Sequence, residues 1–253
     1  ARLSQRLFEG AADLANRSLH GAFVSRMADG SLPPEAFERY LYQDNLYLGK
    51  YSRAFAALAS RAATGAELIW LANYSVLSAY EHGPGAGRAL DDVTFDEEAM
   101  PVTVEYTSFF TQAVWAEESP ILAYASLLPC QRLYDWLFAT LAASGDIPAS
   151  NPYRAFILQY ADPRVHRTTE AMEAFLDGHA ARGLSDDIAA RATEHYRRAM
   201  QYEADFFAQG LEGVGPSPPP DALPRGRRRA LWPQAARGGA GAGGGGVLEM
   251  LTA

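Results

Sequence analysis

A capping residue followed at once by proline recurs along this chain, and each instance opens a run in which apolar residues return every three or four positions. Ser119-Pro120, Asn151-Pro152 and Asp162-Pro163 all have this form. Proline suits the first helical position because the N–H it lacks would have no partner there. Ser31-Leu32-Pro33-Pro34-Glu35 opens a further helix, which Thr64-Gly65 closes, and Ser185-Asp186-Asp187 starts the last, its acidic first turn complementing the helix dipole. Strand-like alternation is nearly absent, so the pattern predicts helix after helix. The segments fall near 2–28 (with a break around Ser18), 34–63, 66–81, 99–117, 120–143, 152–161, 163–181 and 186–211. Loops are expected at 82–98 and 143–150. No heptad seam is long enough for a coiled coil. An all-α, multi-helix bundle with a buried central pocket is the economical solution.

The helical character stops at Glu212. Pro216 to Pro220 is proline-rich, Arg225 to Arg229 is basic, and Gly238 to Gly246 is nearly pure Gly and Ala. Such a segment buries too little apolar surface to offset its conformational entropy. Residues 1–212 therefore read as one helical domain and 213–253 as a disordered tail, with Arg227-Arg228-Arg229 a solvated stretch of that tail. The formal net charge is −8. The tail's five Arg against Asp221 and Glu249 leave the body more acidic still. Acidity of this kind disfavours nucleic acid and anionic membrane as partners, because phosphate is repelled. The single cysteine allows no intramolecular disulfide and no C-x-x-C metal site. No stretch approaches the roughly 20 apolar residues that span a bilayer. The amphipathic N-terminal run, with Glu9 and Asp13, does not read as a secretory signal. The absent initiator Met leaves room for a removed upstream segment. A cytoplasmic location is expected.

Three segments carry candidate chemistry. Cys130 follows Pro129 about ten residues into a helical pattern, where proline removes a backbone hydrogen bond and should kink the helix. Tyr134 lies one turn later on the same face. A buried free cysteine is most often a small hydrophobe, so the residue alone does not decide its role. In Tyr40-Leu41-Tyr42-Gln43-Asp44-Asn45-Leu46-Tyr47-Leu48, helical spacing puts Asp44 and Tyr47 on one face among apolar neighbours (Phe37, Tyr40, Leu41, Tyr51). A carboxylate buried there needs a donor, which a ligand amine could supply. In Tyr202-Glu203-Ala204-Asp205-Phe206-Phe207, Glu203 and Phe206 share a face. A carboxyl beside an aromatic wall has its pKa raised, which suits acid–base work. Tyr106 and Tyr160 sit in apolar helical surroundings, where each offers a ring face and a hydroxyl.

Taken together these segments resemble the TenA family, also called thiaminase II, over most of residues 20–208. The correspondence runs through Gly30-Ser31-Leu32, Phe37, the Tyr40–Leu48 run, Tyr106-Thr107, Pro129-Cys130 with Tyr134, Pro152-Tyr153 with Tyr160-Ala161, and Glu203-Ala204-Asp205-Phe206-Phe207, where Phe207 replaces the family's Trp. Each motif is weak alone, but their shared order is specific. The resemblance implies a haem-oxygenase-like bundle whose pocket takes an aminopyrimidine. It implies that Asp44 binds the ring amino group and a ring nitrogen, and that Tyr47, Tyr106, Tyr134, Tyr160 and Phe206 line or stack on the ring. Cys130 would be the nucleophile and Glu203 the proton carrier, and the cysteine sets the chain in the family's Cys-containing branch. The implied reaction releases hydroxymethyl-pyrimidine from thiamin or from 4-amino-5-aminomethyl-2-methylpyrimidine, the second being preferred, in thiamin salvage. It needs no cofactor and no metal. A homotetramer is implied as well. Glu81-His82-Gly83-Pro84-Gly85 departs from the family's longer helical Glu/His stretch and reads as a remodelled loop.

Two other classes compete. A haem or di-metal oxygenase of the same fold would need an axial His, for which His20 is the candidate, or carboxylates and His one turn apart. Glu81-His82 and Glu194-His195 are adjacent pairs, which point around a helix rather than together. A non-catalytic thiamin- or pyrimidine-binding regulatory module would keep Asp44 and the tyrosines but have no need of Cys130 with Glu203.

Overall fold

The computed structural model describes residues 1–79 and 99–213, and among these the chain forms ten helices and no strand. They are α1 (Leu3–Glu9), α2 (Ala12–Leu19), α3 (Ala22–Asp29), α4 (Pro34–Ala59), α5 (Gly65–Ala79), α6 (Pro101–Ala116), α7 (Pro120–Ser144), α8 (Arg154–Tyr160), α9 (Pro163–Arg182) and α10 (Asp186–Gln209). The expected loop at 82–98, with Glu81-His82-Gly83-Pro84-Gly85, and the expected tail beyond residue 213 lie outside the described residues. None of the described helices is long and apolar enough to cross a membrane.

The architecture is the expected all-α bundle. Helix α7 runs through its middle, packed by α10, α9, α6 and α8, while α4 packs on α5 and α6. From Ile121 to Pro129 every residue of α7 is buried. A helix apolar on all its faces can be stable only when surrounded, and here the surrounding helices cover it. The backbone stays helical through Pro129. The Tyr51 hydroxyl donates to the Leu127 carbonyl at 2.9 Å, which ties α4 to α7 two residues before the proline.

The helix ends depart from expectation in instructive ways. Residues 2–28 form three short helices: the break expected around Ser18 falls at His20-Gly21, and a second lies at Gly10-Ala11. Glycine supplies each break, since its backbone entropy disfavours a helix interior. Helix α4 stops at Ala59, and Thr64 opens α5 instead of closing α4: its Oγ1 accepts from the Glu67 N–H at 3.1 Å. Asn151 caps the turn that leads into α8, its Oδ1 accepting from the Tyr153 N–H at 2.7 Å, although regular helix begins only at Arg154. Its amide donates to the carbonyls of Met27 (2.9 Å) and Ala28 (2.7 Å), closing the end of α3, where Gly30 turns the chain at φ +83°. Asp162 and Ser185 cap as expected, accepting from the N–H groups of Arg164 and Ile188. The C-terminus of α6 is closed from a distance. The Arg61 guanidinium donates to the carbonyls of Val114, Glu117 and Glu118, a cation at the negative end of a helix. Just past α10, Gly210 lets α3 come close, since a Cβ there would stand 2.6 Å from Cε2 of Phe23. That approach fixes the last turn of α10, which carries Phe206 and Phe207.

Candidate active site

Four helices bring their chemistry to one small cavity, about 160 Å³ of space between atoms. Helix α4 contributes Asp44 and Tyr47, α6 contributes Tyr106, α7 contributes Cys130 and Tyr134, and α10 contributes Glu203 and Phe206. Of the eight residues singled out in the sequence, seven line this space. The eighth, Tyr160, stands behind it, packed edge-on against Tyr134 with ring centroids 5.2 Å apart and stacked on Phe138 at 5.3 Å.

The cavity pairs an acid with a thiol. Glu203 is 2% exposed. Its Oε1 accepts from the Tyr106 hydroxyl at 2.6 Å, and Cys130 lines the same cavity, near enough to influence the ionisation of this carboxyl. Burial pushes the Glu203 carboxyl up to about 8, the Tyr106 hydrogen bond opposes the rise, the nearby Asp44 adds to it, and the Cys130 thiol opposes it. The acid thus holds its proton about as tightly as an ordinary thiol, whose pKa is about 8.5. A carboxyl of this kind can take a proton from a neighbouring thiol and later serve as an acid. Cys130 itself is half-buried, so its sulfur is not sealed into the core.

Aromatic rings form the walls. Tyr47 and Tyr106 have centroids 5.1 Å apart, and Tyr47 meets Phe206 edge-on at 5.7 Å. Tyr134 stacks on Phe207 at 5.5 Å, so Phe207 backs a wall residue. Burial raises the pKa of Tyr47, Tyr106 and Tyr134 well above the ordinary phenol, and the nearby negative groups add to the rise. These hydroxyls are neutral donors at any physiological pH. The Tyr47 hydroxyl is near enough to Tyr106 to influence its ionisation. It nevertheless makes no hydrogen bond of sound geometry, although it is fully buried. An orphaned donor of this kind on a cavity wall is costly unless a ligand meets it.

One residue outside the expected set also belongs to the site. Tyr40 was legible only as an apolar neighbour of Asp44, yet its hydroxyl bonds that of Tyr134. The i,i+4 spacing that puts Tyr40 on Asp44's face was the available signal. The described histidines lie elsewhere. His20 is exposed at the end of α2, and His195 is held by Ser126 and the Phe109 ring. His179 pairs with Glu67 at 2.6 Å, and His166 with Asp135 at 2.9 Å. No group of three or more His, Cys, Asp or Glu among the described residues is arranged to hold a metal ion.

A model of the TENA/THI-4/PQQC family matches residues 11–81, a span that holds Asp44 and Tyr47 and ends before Cys130. The thiamine biosynthesis multifunctional protein ThiED of Corynebacterium efficiens is 29% identical over 210 residues. The match takes in 81% of this chain and 28% of that protein, so the chain spans little more than a quarter of the relative's length. Among solved structures, a TenA family transcription regulator from Silicibacter sp. TM1040 superposes with a TM-score of 0.73 at 23% identity, covering 84% of this chain and 97% of the other. A protein from Sulfolobus solfataricus, described provisionally as a TenA-like thiaminase, gives 0.65 at 20% identity over 82% and 94%. At these identities the structural likeness establishes the fold.

Proposed function

We propose that this chain, whose residues 11–81 match the TENA/THI-4/PQQC family model, is a C–N hydrolase acting on an aminopyrimidine of the thiamin type, with Cys130 as nucleophile and Glu203 as proton carrier. The observation that carries this reading is the meeting of Cys130 with a buried carboxyl, Glu203, on the wall of one small cavity, where burial pushes that carboxyl up to about 8. A module that only bound pyrimidine would need the ring walls but not this pair. The thiamin biosynthesis role named for the Corynebacterium relative points to the same substrate class.

The reaction divides one hard displacement into easier steps. The thiol proton passes to the Glu203 carboxylate as Sγ bonds a ring carbon and the ring loses its aromaticity. The C–N bond at the exocyclic methylene then breaks, and Glu203 returns the proton to the departing nitrogen. Water adds to the methylene, giving its proton back to Glu203. Loss of the thiolate, reprotonated by Glu203, restores the aromatic ring. Asp44 holds the ring amino group, while Tyr47, Tyr106, Tyr134 and Phe206 enclose the ring and exclude bulk water. Tyr160 acts on the ring only through Tyr134.

The test is to incubate the purified protein with 4-amino-5-aminomethyl-2-methylpyrimidine and, separately, with thiamin, and to follow hydroxymethyl-pyrimidine by chromatography. Product from the aminomethyl base, faster than from thiamin, is the expected result and marks a salvage enzyme. No product from either substrate, with binding of hydroxymethyl-pyrimidine retained, would replace the reading by a binding module.

The reading extends to self-association. Helix α5 turns Leu68, Ile69 and Val76 to the outside, with Ile69 64% exposed, and Ile69 and Val76 lie two turns apart on one face. A second copy of the chain is the occupant proposed for this face, in a homo-oligomer of four as the family resemblance implies. Light scattering is expected to show the tetramer mass, and Ile69→Glu to lower it. An unmodified chain that runs as a monomer at micromolar concentration would end this proposal.

A further inference from the structure

The hydroxyls of Tyr40 and Tyr134 lie 2.5 Å apart, either being able to donate. Which one does so follows from counting protons. Two hydroxyls carry two protons, and their mutual bond uses one. No other hydrogen bond is made by either hydroxyl within the described structure. Tyr40 is completely buried, at 0% exposure, whereas Tyr134 stands on the cavity wall. If Tyr134 donated, the Tyr40 proton would be stranded among the rings that enclose it: Phe23, Phe37, Phe156, Phe206 and Phe207. A buried donor without a partner is strongly disfavoured. Tyr40 must therefore donate, which occupies a lone pair of Tyr134 and leaves the Tyr134 proton directed at the cavity.

We propose that Tyr40 is a positioning residue that fixes Tyr134 as a hydrogen-bond donor into the site, so that the ligand must present an unprotonated acceptor, a ring nitrogen of a heteroaromatic base, at that wall. The inference rests on the aminopyrimidine reading and deepens it. Asp44, which lines the same cavity, supplies the opposite polarity. The two walls together select a ring that carries an amino group and a bare ring nitrogen. Tyr40 also stacks on Phe207 at 5.7 Å, nearly parallel, and Tyr134 stacks on the same Phe207. The Tyr40 ring can thus keep the wall in place when only its oxygen is removed, which makes Tyr40→Phe a clean probe of the hydroxyl. Loss of that oxygen frees Tyr134 to rotate and to offer a lone pair in place of its proton.

The experiment is a double-mutant cycle on the full chain, with 4-amino-5-hydroxymethyl-2-methylpyrimidine as the ligand in calorimetry and the aminomethyl base as substrate. Tyr40→Phe is expected to weaken ligand binding and raise KM about tenfold while kcat falls less than threefold, because the hydroxyl acts on ring placement and not on the thiol. Tyr134→Phe is expected to weaken binding at least as much, and Tyr40→Phe added to it to weaken binding no further. The urea midpoint of each variant serves as the control for folding. Unchanged affinity in a folded Tyr40→Phe would overturn the inference and leave the hydrolase reading intact. So would an equal further loss in the Tyr134→Phe background. Failure of the unmodified protein to bind the pyrimidine at all would overturn both.

Discussion

Replacing Cys130 by Ser should reduce hydrolysis of the aminopyrimidine by about a thousandfold or more in kcat, a barrier increase of roughly 4 kcal/mol, while ligand affinity stays within a few-fold of the unmodified protein. The asymmetry follows from the site. A serine oxygen fills nearly the same space as the sulfur, and Cys130 is half-buried rather than packed in the core, so neither the fold nor the ring walls should change. What changes is the ease of ionisation. Glu203, at about 8, is matched to a thiol, but an alcohol gives up its proton to such a carboxyl only at great cost. The loss therefore appears in the chemical step. A Cys130→Ser protein that kept activity within tenfold would exclude the covalent route and leave a Glu203-activated water as the nucleophile. Rapid mixing offers an independent check, since a sulfur–pyrimidine adduct is expected to be trapped in the unmodified protein and absent from the variant.

The fold was legible in the sequence because its signals are local. Proline after a capping residue and the three- and four-residue apolar spacing are written into each segment, and α6, α7, α9 and α10 begin within two residues of their expected positions. What escaped was long-range pairing. Asn151 has the identity and spacing of a cap for its own segment, and its Oδ1 does accept from the Tyr153 N–H, but its amide NH2 also reaches back more than a hundred residues to the end of α3. Thr64 could close one helix or open the next, and only the Glu67 N–H decides between them. The site shows the same division. Seven of eight residues converge because periodicity fixes which face each occupies, and the resemblance says which faces meet. Tyr160 fails to reach the cavity and Tyr40 joins the site for one reason: a ring's distance from the cavity depends on how α4, α7 and α8 pack, and no single segment encodes that.

The second large effect concerns stability, and its sign depends on pH. In the folded chain Glu203 releases its proton only near pH 8, whereas an ordinary glutamate in the unfolded chain does so near 4.5. Between these values the unfolded state has already ionised while the folded state still holds the proton, so folding becomes less favourable as pH rises through this window. Above pH 8 the folded state must keep a carboxylate in a buried site opposite Asp44. Glutamine carries no charge at any pH and can still accept from the Tyr106 hydroxyl. Glu203→Gln should therefore be close to the unmodified protein in stability at pH 5 and exceed it at pH 9 by on the order of 4 kcal/mol, the free-energy equivalent of the displacement in proton affinity. The same variant should be nearly inactive at both values, because it can neither take the thiol proton nor return one to the leaving nitrogen. Titrating groups remote from the cavity are common to the two proteins and cancel in the difference. Urea unfolding of both at pH 5 and pH 9 measures it directly. A difference in stability that does not grow with pH would mean that Glu203 ionises in the folded chain like an exposed carboxyl. The match between acid and thiol, and with it the proposed division of labour between Cys130 and Glu203, would then be lost. A difference that grows between these pH values, in a variant that has lost its activity, would show that the chain carries a buried acid at a cost to its own stability, and that this acid serves the reaction.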